Sequence, residues 1–427
     1  MEENKITKPR VVFLKTPDQK NMVESIIDGL NKSVSARNFE TKIVEINPDN
    51  LQEVINQIVE FKPLFTFDIN LDGMIYAENE GQKQPFCDLL GNIHITWFID
   101  DPLIHFTKLK PVIQSNQILY ATIDIEHLQW LRTLGKNVAL IPAGTNPAKI
   151  PPPKEKEFEV AFVGPLTDPI LIENDWRQRF DPNLFGFAVE LGRLIYRNPD
   201  MPIRFASGYL LSQLSPEFQS ALIQYQQENE EDFSNLLIEI GLYAMHLRRW
   251  NIVDSIENYE VNILGPVNGE VKDNVVVFEE IHTQKDVIDF ISKSKISLLS
   301  QPPFIPSSLG FTVFDSVATG TLTFVEERLA SKSFFEPEKE IITYHPIDFI
   351  EIEGKIAYYL EDAPDEREEI GKAGREKALK EHTIYSRGEI LANIMEDIIR
   401  QSIQEEKKPE ENSWKELWYL FLIKQVY

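Results

Sequence analysis

The strongest constraint on the fold is a repeated alternation of short β-branched or aromatic runs with amphipathic stretches of helix length. In the first third of the chain these runs occupy residues 11–15, 43–46, 64–69, 93–99, 117–123 and 138–142. Strands that alternate with helices form parallel sheets, because each helical crossover returns the chain to the same edge. This part of the sequence therefore predicts one doubly wound α/β domain.

A second series of strand-like runs follows a proline-rich segment. Pro151, Pro152 and Pro153, with the charged residues 154–157, are typical of a stiff, solvated linker. The second series occupies residues 160–164, 261–264, 275–278, 296–299, 321–325 and 341–344. The predicted organisation is a first domain at 1–148, a linker at 149–157, a second domain at 158–400 with a helical insertion at about 170–250, and a tail helix at 401–427.

Composition excludes several classes of protein. The 427 residues carry a formal charge of −25, which disfavours charge-driven binding to nucleic acid or anionic lipid. A single cysteine, Cys87, excludes an intramolecular disulfide and a cysteine-rich zinc site. The charged first ten residues do not match a secretory signal, and the longest apolar run near the end, 418–423, is too short for a transmembrane segment. We expect a cytoplasmic protein.

The ends of the predicted strands in the second domain carry the candidate anion-binding residues. Gly164-Pro165 follows the first strand, where a tight turn either exposes backbone amides to an anion or is a plain turn. Ser307, Ser308 and Gly310 precede a predicted helix at 311–319 that begins with Phe311. Serine caps and a helix dipole there would favour a diphosphate, with Asp315 accepting hydrogen bonds from a ribose diol. The alternative is an ordinary capped helix with a solvated Asp315.

Two further candidates lie near the same strand ends. Arg248 and its neighbour Arg249 could neutralise a diphosphate, since guanidinium groups bind oxyanions through two parallel hydrogen bonds, or they could form surface salt bridges. His282 follows the strand at 275–278 and could flank a nucleobase, or it is a loop histidine with no ligand.

The first series of strands ends in a different set of polar residues. Asp100 and Asp101, with His105 nearby, could supply a general base, orient an acceptor hydroxyl or bind a metal; the alternative is a helix cap or a salt bridge. The spacing matches no established metal site, so we expect no metal. Asn70 and Asp72 could bind acceptor hydroxyls or form only a turn.

The motifs of several enzyme classes are absent from the sequence. It has no phosphate-binding loop of the form GxxxxGK[ST], no GxGxxG, no GxSxG and no HExxH. P-loop nucleotide hydrolysis, dinucleotide redox chemistry, nucleophile-elbow hydrolysis and zincin proteolysis therefore lose their usual sequence support.

Six segments, in order along the chain, carry a family resemblance. They are TWFIDDP at 96–102, FVG at 162–164, NILGP at 262–266, KSKISLL at 293–299, FDSVATG at 314–320 and KAGREKALKEHT at 372–383. The chain resembles group 1 glycosyltransferases of the GT-B fold, and specifically their CgeB-like branch of spore proteins. The resemblance implies two Rossmann-like domains facing a cleft, and a nucleoside diphosphate sugar as donor substrate with no other cofactor.

The resemblance also implies roles for individual residues. Gly164 and the 307–311 loop would face the diphosphate, Arg248 would contact it, Asp315 would bind ribose and His282 would lie near the base. Asp100 and Asp101 would lie beside the acceptor, a hydroxyl on a protein or a surface glycan. The 414–427 segment would return to the first domain.

The sequence departs from the family at the acidic pair of its retaining members. Ser307 and Asp315 stand where those members carry two glutamates, and Thr312 replaces a frequent arginine. The leading prediction is a metal-independent glycosyltransferase. The alternatives are a binding protein that kept the fold and lost transfer chemistry, and a nucleotide-sugar epimerase.

Overall fold

The computed structural model describes residues 8–16, 22–79, 82–278 and 283–405, which divide into two compact units. Unit 1 takes its residues from Met1–Ile99, Lys108–Pro142 and Ile384–Tyr427. Unit 2 takes its residues from Asp100–Thr107 and Ala143–Thr383. Each unit contains one six-stranded sheet in which all neighbouring strands are parallel.

Unit 1 is a sheet with helical crossovers. Its elements before the linker are β1 Arg10–Lys15, α1 Met22–Ala36, β2 Glu40–Glu45, α2 Leu51–Phe61, β3 Phe65–Ile69, β4 Tyr76–Asn79, β5 Gln82–Pro85, α3 Phe86–Leu90, β6 Ile93–Phe98, α4 Phe106–Leu109, β7 Ile118–Thr122, α5 Ile125–Thr133 and β8 Asn137–Leu140. The first two residues of α4 belong to unit 2. The sheet order is β2-β1-β3-β6-β7-β8. Strands such as β3 are buried along their whole length, as expected for a parallel sheet covered on both faces.

Unit 2 contains the second sheet and the helical insertion. Its elements are β9 Phe158–Val163, β10 Leu166–Thr167, α6 Pro169–Arg179, α7 Pro182–Arg197, α8 Ile203–Ser212, α9 Pro216–Glu228, α10 Glu230–Ser255, β11 Val261–Leu264, β12 Val267–Asn268, β13 Val275–Phe278, α11 Gln284–Ser292, β14 Ser294–Leu299, α12 Phe311–Thr319, β15 Leu322–Glu326, α13 Ser331–Phe334, β16 Ile342–Tyr344, α14 Phe349–Ala357 and α15 Pro364–Glu381. The sheet order is β13-β11-β9-β14-β15-β16, the arrangement of nucleotide-binding doubly wound sheets.

The helical insertion, α6 to α10, has its own apolar core. Helix starts are marked by sequence: Asp181 caps α7 by accepting hydrogen bonds from two first-turn amides, and a proline follows it. The core also contains Leu103, whose backbone oxygen accepts a hydrogen bond from Ser234 Oγ at 3.5 Å. This packing places Asp100–Thr107 in unit 2, whereas the strand pattern of the sequence assigned these residues to the first domain.

The final described helix, α16 Ile384–Glu405, packs against α1 in unit 1. Two glycines permit the contact: a Cβ on Gly29 would lie 2.4 Å from Ile384 Cγ2, and one on Gly388 would lie 2.4 Å from Ser33 Cβ. Ser33 Oγ also donates a hydrogen bond to the Tyr385 carbonyl at 2.8 Å. The return to unit 1 therefore begins at residue 384 and not at 401; residues 406–427 lie outside the described residues.

The two series of strands predicted from sequence both form, so the predicted fold class is confirmed. The β4–β5 hairpin was not predicted, because its polar residues lack the apolar alternation of a strand. Within the described part of the chain, every helix is too short or too polar to span a bilayer.

Candidate functional site

The sheet of unit 2 changes its direction of winding between β9 and β14. Open α/β sheets bind ligands at this kind of switch point, beside the carboxyl ends of the strands. The chain leaves β9 at Gly164 and leaves β14 at Ser300. These two residues and the segments that contact them therefore form the candidate site.

Two glycines allow unusually close packing at the switch point. Gly164 has φ +124°, and a Cβ there would lie 2.6 Å from Arg249 Nη1. Gly265, which follows the neighbouring strand β11, has φ +146°, and its Cβ would lie 2.6 Å from the Gly164 carbonyl oxygen. Both positions require glycine for conformation and for space. The turn after β9 is therefore in contact with the guanidinium group of Arg249.

Arg249 joins the two strand ends of the switch point. Its Nη1 donates to the Pro165 carbonyl at 3.2 Å, and its Nη2 donates to the Ser300 carbonyl at 3.3 Å. The residue is only 7% exposed, its Nε has no hydrogen-bond partner, and it forms no ion pair within the described residues. Burial lowers the pKa of Arg249 to about 10, opposed by the charge of Glu326. A buried guanidinium without a paired carboxylate is costly, and an oxyanion bound beside it would compensate the charge.

Arg248, the diphosphate contact predicted from sequence, is fully buried in an ion-pair network. Its Nη1 lies 3.1 Å from Glu326 Oε2, and its Nη2 donates to the Ile195 carbonyl at 3.1 Å. Glu326 also pairs with Arg328 at 2.7 Å and accepts a hydrogen bond from Ser300 Oγ at 2.6 Å. The prediction for Arg248 is corrected on this ground: both its Nη groups donate inside the protein, its carboxylate partner Glu326 balances its charge, and Arg249 is the arginine at the strand ends.

The loop between β14 and α12 is fixed by Gln301. Its Oε1 accepts a hydrogen bond from the Gly310 amide at 3.2 Å, and its Nε2 donates to the Ser308 carbonyl at 3.5 Å. Ser307 and Ser308 are both buried. The predicted serine cap is wrong, because the N-cap of α12 is Gly310, which has no side chain to accept hydrogen bonds from first-turn amides. Gln301 thus links Ser300, which Arg249 contacts, to the start of this helix at Phe311.

Asp315 is buried in α12 and both its carboxylate oxygens accept hydrogen bonds. Thr145 Oγ1 donates to Oδ1 at 2.7 Å, and Gln284 Nε2 donates to Oδ2 at 2.6 Å. Burial raises the pKa of Asp315 to about 6, although the two hydrogen bonds act against the shift. A ribose diol would have to replace one of these donors in order to bind the carboxylate.

Because the pKa of Asp315 is raised, we expect the stability of an Asp315→Asn variant to increase relative to that of the natural chain as pH rises. The folded state binds the proton more tightly than the unfolded state, in which the carboxyl has its ordinary pKa of 3.8. Stability from this group is therefore present below pH 3.8 and is lost as pH rises towards 6. The free energy of unfolding of the variant, relative to the natural chain, should increase by about 2 kcal/mol between about pH 4.5 and pH 7.

Urea unfolding at several pH values measures this difference. In the variant, the amide oxygen can accept from Thr145 or Gln284, and Gln284 Oε1, which has no hydrogen-bond partner among the described residues, can accept from the new amide group after rotation. A constant difference across the pH range would show that Asp315 does not titrate as its burial indicates.

The predicted acid–base residues after β6 separate into two environments in unit 2. Asp101 is buried, accepts a hydrogen bond from the Leu103 amide at 2.8 Å and pairs with Arg204 at 2.5 Å. These contacts are those of a structural carboxylate. His105 Nε2 lies 3.6 Å from Asp100 Oδ2, and the Asp100 side chain is 49% exposed. Of the two carboxylates, Asp100 is the one accessible to a substrate.

The remaining predicted residues lie elsewhere. Asn70, in unit 1, has φ +57° and its Oδ1 accepts a hydrogen bond from the Ile99 amide at 3.0 Å, which ties the end of β3 to the end of β6. Asp72 forms an ion pair with Lys108. His282 lies outside the described residues. In unit 2, Arg249 contacts the Gly164-Pro165 turn and the Ser300 carbonyl, and Gln301, the next residue, contacts Ser308 and Gly310. These residues form the switch-point cluster.

Sequence reasoning missed most of the residues that connect this cluster. It offers Arg249 only as one of a pair with Arg248, because both are buried in α10 and periodicity does not separate them. Glu326 did carry a signal, since a glutamate that ends the otherwise apolar LTFV strand is fully buried only when it is paired. Gln301 and Gln284 carry no comparable sequence signal.

Comparisons with known proteins find relatives of the sequence and of the fold. Residues 248–394 match a family model described as glycosyl transferase-like. An uncharacterized protein of Aquifex aeolicus (strain VF5) is 28% identical over 384 residues, covering 89% of this chain and 94% of that protein. Sucrose-phosphate synthase from Thermosynechococcus elongatus has a TM-score of 0.50 at 9% identity, covering 93% of this chain and 99% of the synthase. Anabaena HepE in complex with UDP-glucose has a TM-score of 0.50 at 8% identity, covering 91% and 99%.

These likenesses confirm the predicted fold, two parallel-sheet α/β domains of the GT-B type. The matched segment begins at Arg248 and includes β14, α12 and β15, so the glycosyl transferase-like sequence coincides with much of the switch-point cluster. The family model supports the predicted resemblance to glycosyltransferases over residues 248–394.

Proposed function

We propose that this chain is a glycosyltransferase that binds the diphosphate of a nucleoside diphosphate sugar at the switch point of unit 2. The observation that carries the proposal is Arg249, a buried guanidinium with no paired carboxylate among the described residues, which joins the carboxyl ends of β9 and β14. A neutral ligand would leave this charge uncompensated, whereas a diphosphate would supply the missing negative charge. HepE, which shares the fold, binds UDP-glucose, so UDP-glucose is the first donor to test.

The proposed chemistry requires stabilisation of a leaving nucleoside diphosphate. Arg249 would neutralise its growing negative charge, and the start of α12, whose N-cap is a glycine without a capping side chain, would add the positive end of a helix dipole. The protein groups would thus fill the role that a divalent cation fills in other transferases, and we propose metal-independent transfer. The acceptor would be a hydroxyl on a protein or a surface glycan. The TWFIDDP and FDSVATG segments support the further proposal that the chain belongs to the CgeB-like branch.

The proton of the acceptor hydroxyl has two routes. If the transfer inverts the anomeric carbon, Asp100 is the candidate base, because Asp101 is committed to Arg204. If the transfer retains it, the leaving phosphate can take the proton and no protein base is required. NMR assignment of the anomeric configuration of the product, compared with that of the donor, separates these routes.

A non-catalytic binding protein is the second candidate, favoured by the loss of the family's acidic pair at Ser307 and by the two hydrogen bonds that occupy Asp315. Calorimetric titration with UDP-glucose and other nucleotide sugars, followed by an assay for released UDP with and without cell extract, separates the two. We expect binding and an extract-dependent release of UDP. Binding without release would favour the second candidate, conversion of the donor without acceptor would indicate an epimerase, and the absence of binding would contradict all three.

A further inference from the structure

An open pocket of about 810 Å³ lies at the amino-terminal edge of the unit 2 sheet. This edge is opposite to the one that carries Arg249, because residues here precede the parallel strands. The pocket is bounded by residues 153–156 before β9, by the first residues of β14 and β15, by the end of α12 and by the first turns of α15. Gly371 lets α15 approach the end of α12 closely beside this pocket, since a Cβ there would lie 2.4 Å from the carbonyl oxygen of Gly320, a lining residue.

The buried and exposed parts of this pocket differ in charge. The partly buried charged residues of the lining are all cationic: Lys154, Lys156, Lys295, Arg367 and Arg375. The carboxylates of the lining are all exposed, as is one cation, Lys372; these carboxylates are Glu155, Asp365, Glu368 and Glu369. In a chain with a net charge of −25, the inner surface of this pocket is thus locally positive. Such a pocket attracts anions that are small enough to pass the exposed carboxylates.

Two of the cations are held in place by the fold. Lys156 Nζ donates to the Ser292 carbonyl at 3.0 Å and to Thr321 Oγ1 at 2.9 Å, which leaves one of its three N–H groups for a ligand. Burial, together with the positive charges of Arg367 and Arg375, lowers the pKa of Lys156 to about 8. Arg375 donates to the Ala318 carbonyl at 2.5 Å and so neutralises the negative end of α12. The cationic side chains of the inner surface are therefore held in fixed positions close to one another.

Two other cations have no partner within the part of the chain that the structure describes. The side chains of Lys295 and Lys372 form no hydrogen bond or ion pair with any described residue, whereas Lys154 pairs with Asp289 at 2.8 Å. Lys295 comes from β14 and Lys372 from α15, so they approach the pocket from two different elements. Their ammonium groups are available to a ligand that also contacts Lys156.

We propose that this pocket binds a small phosphate-bearing molecule, separately from the switch-point site. A phosphate monoester carries close to two negative charges at neutral pH and presents three acceptor oxygens, which suits ammonium donors converging from several elements. The proposal does not depend on the glycosyltransferase assignment, because it uses the opposite edge of the sheet and none of the residues around Arg249.

Calorimetric titration with glycerol 3-phosphate at about pH 7 and low salt tests the proposal. The test variant is Lys295→Gln with Lys372→Gln, which removes the two unpartnered charges. The matched control is Lys293→Gln with Lys380→Gln, which removes the same charge from neighbouring positions where the lysines pair with Glu157 and Glu381 outside the pocket. We expect about tenfold weaker binding in the test variant and a change of less than about twofold in the control.

The titrations are repeated with excess UDP, which would occupy the switch-point site. The difference in glycerol 3-phosphate affinity between the test variant and the natural chain should stay the same. Equal binding by both variants and the natural chain, or no binding by the natural chain at millimolar concentrations, would overturn the proposal. Bound glycerol 3-phosphate should be displaced by inorganic phosphate and not by glycerol. If poly-glutamate displaces it and inorganic phosphate does not, the proposal is overturned in favour of an acidic peptide. Thermal unfolding without ligand checks that both variants are folded.

Discussion

Replacing Arg249 by methionine is expected to weaken UDP binding by about 30-fold, equivalent to about 2 kcal/mol, without destabilising the ligand-free protein. Methionine matches much of the side-chain volume but removes a buried charge that has no carboxylate partner within the described residues. The variant loses two hydrogen bonds to carbonyl groups, and this loss is offset because the desolvation cost of the guanidinium disappears. Calorimetry with UDP and thermal unfolding of the free protein measure the two effects.

A matched substitution at an exposed arginine controls for the change in net charge. Arg193 lies in α7 of the same unit, its side chain is 42% exposed, and it pairs with Glu190 at 3.2 Å and, at the longer distance of 3.7 Å, with Glu173. Arg193→Met should change UDP affinity by less than about twofold. If Arg249→Met lowers the melting temperature strongly and binds UDP as the natural chain does, Arg249 is a structural residue and the proposed diphosphate site is wrong.

Replacing Glu326 by glutamine should cost about 3–5 kcal/mol of stability, the largest effect we expect from a single isosteric change. Glu326 is fully buried, and its carboxylate is shared by Arg248 at 3.1 Å, Arg328 at 2.7 Å and the Ser300 hydroxyl at 2.6 Å. Glutamine keeps the shape but leaves two buried guanidinium groups with no buried carboxylate among their described contacts; the Asp200 side chain, 3.7 Å from Arg328, is 56% exposed.

Hydrogen exchange of the β15 amides reports this loss locally, so that the separate unfolding of unit 1 does not obscure it. The adjacent Glu327→Gln is the control, because Glu327 is 54% exposed and, among the described residues, its side chain forms only a long contact of 3.8 Å with Lys332. Equal protection in the two variants would show that the buried ion-pair network contributes little to the stability of unit 2.

The two predictions distinguish neighbouring arginines that share a helix. Arg248 is committed to Glu326 and to backbone carbonyls, so its loss should act on stability. Arg249 has carbonyl partners only, within the described residues, so its loss should act on anion binding. Two adjacent residues are therefore a structural charge and a candidate functional charge. Their adjacency explains why the sequence-based choice fell on Arg248 and not on Arg249, the arginine at the strand ends.

Side-chain contacts account for the other differences between sequence and structure. The sequence placed Asp100 and Asp101 in the first domain because they follow its fourth strand-like run, but Leu103 packs in the core of the insertion and carries the segment into unit 2. Ser307 and Ser308 suggested a cap for α12, but both are buried and Gly310 is the N-cap. Each correction depends on a contact between residues that are distant along the chain.

The sequence by itself determined the two parallel sheets, the helical insertion and the turns at Gly164 and Gly310, because the periodicity of apolar residues and the positions of glycine and proline are local properties. Only the tertiary structure decided which arginine reaches the switch point, how the Asp315 carboxylate is occupied and which lysines face the second pocket. The physical reason is that the state of a charge depends on its neighbours in space, and these neighbours are distant in the chain: Thr145, which donates to Asp315, is 170 residues away from it.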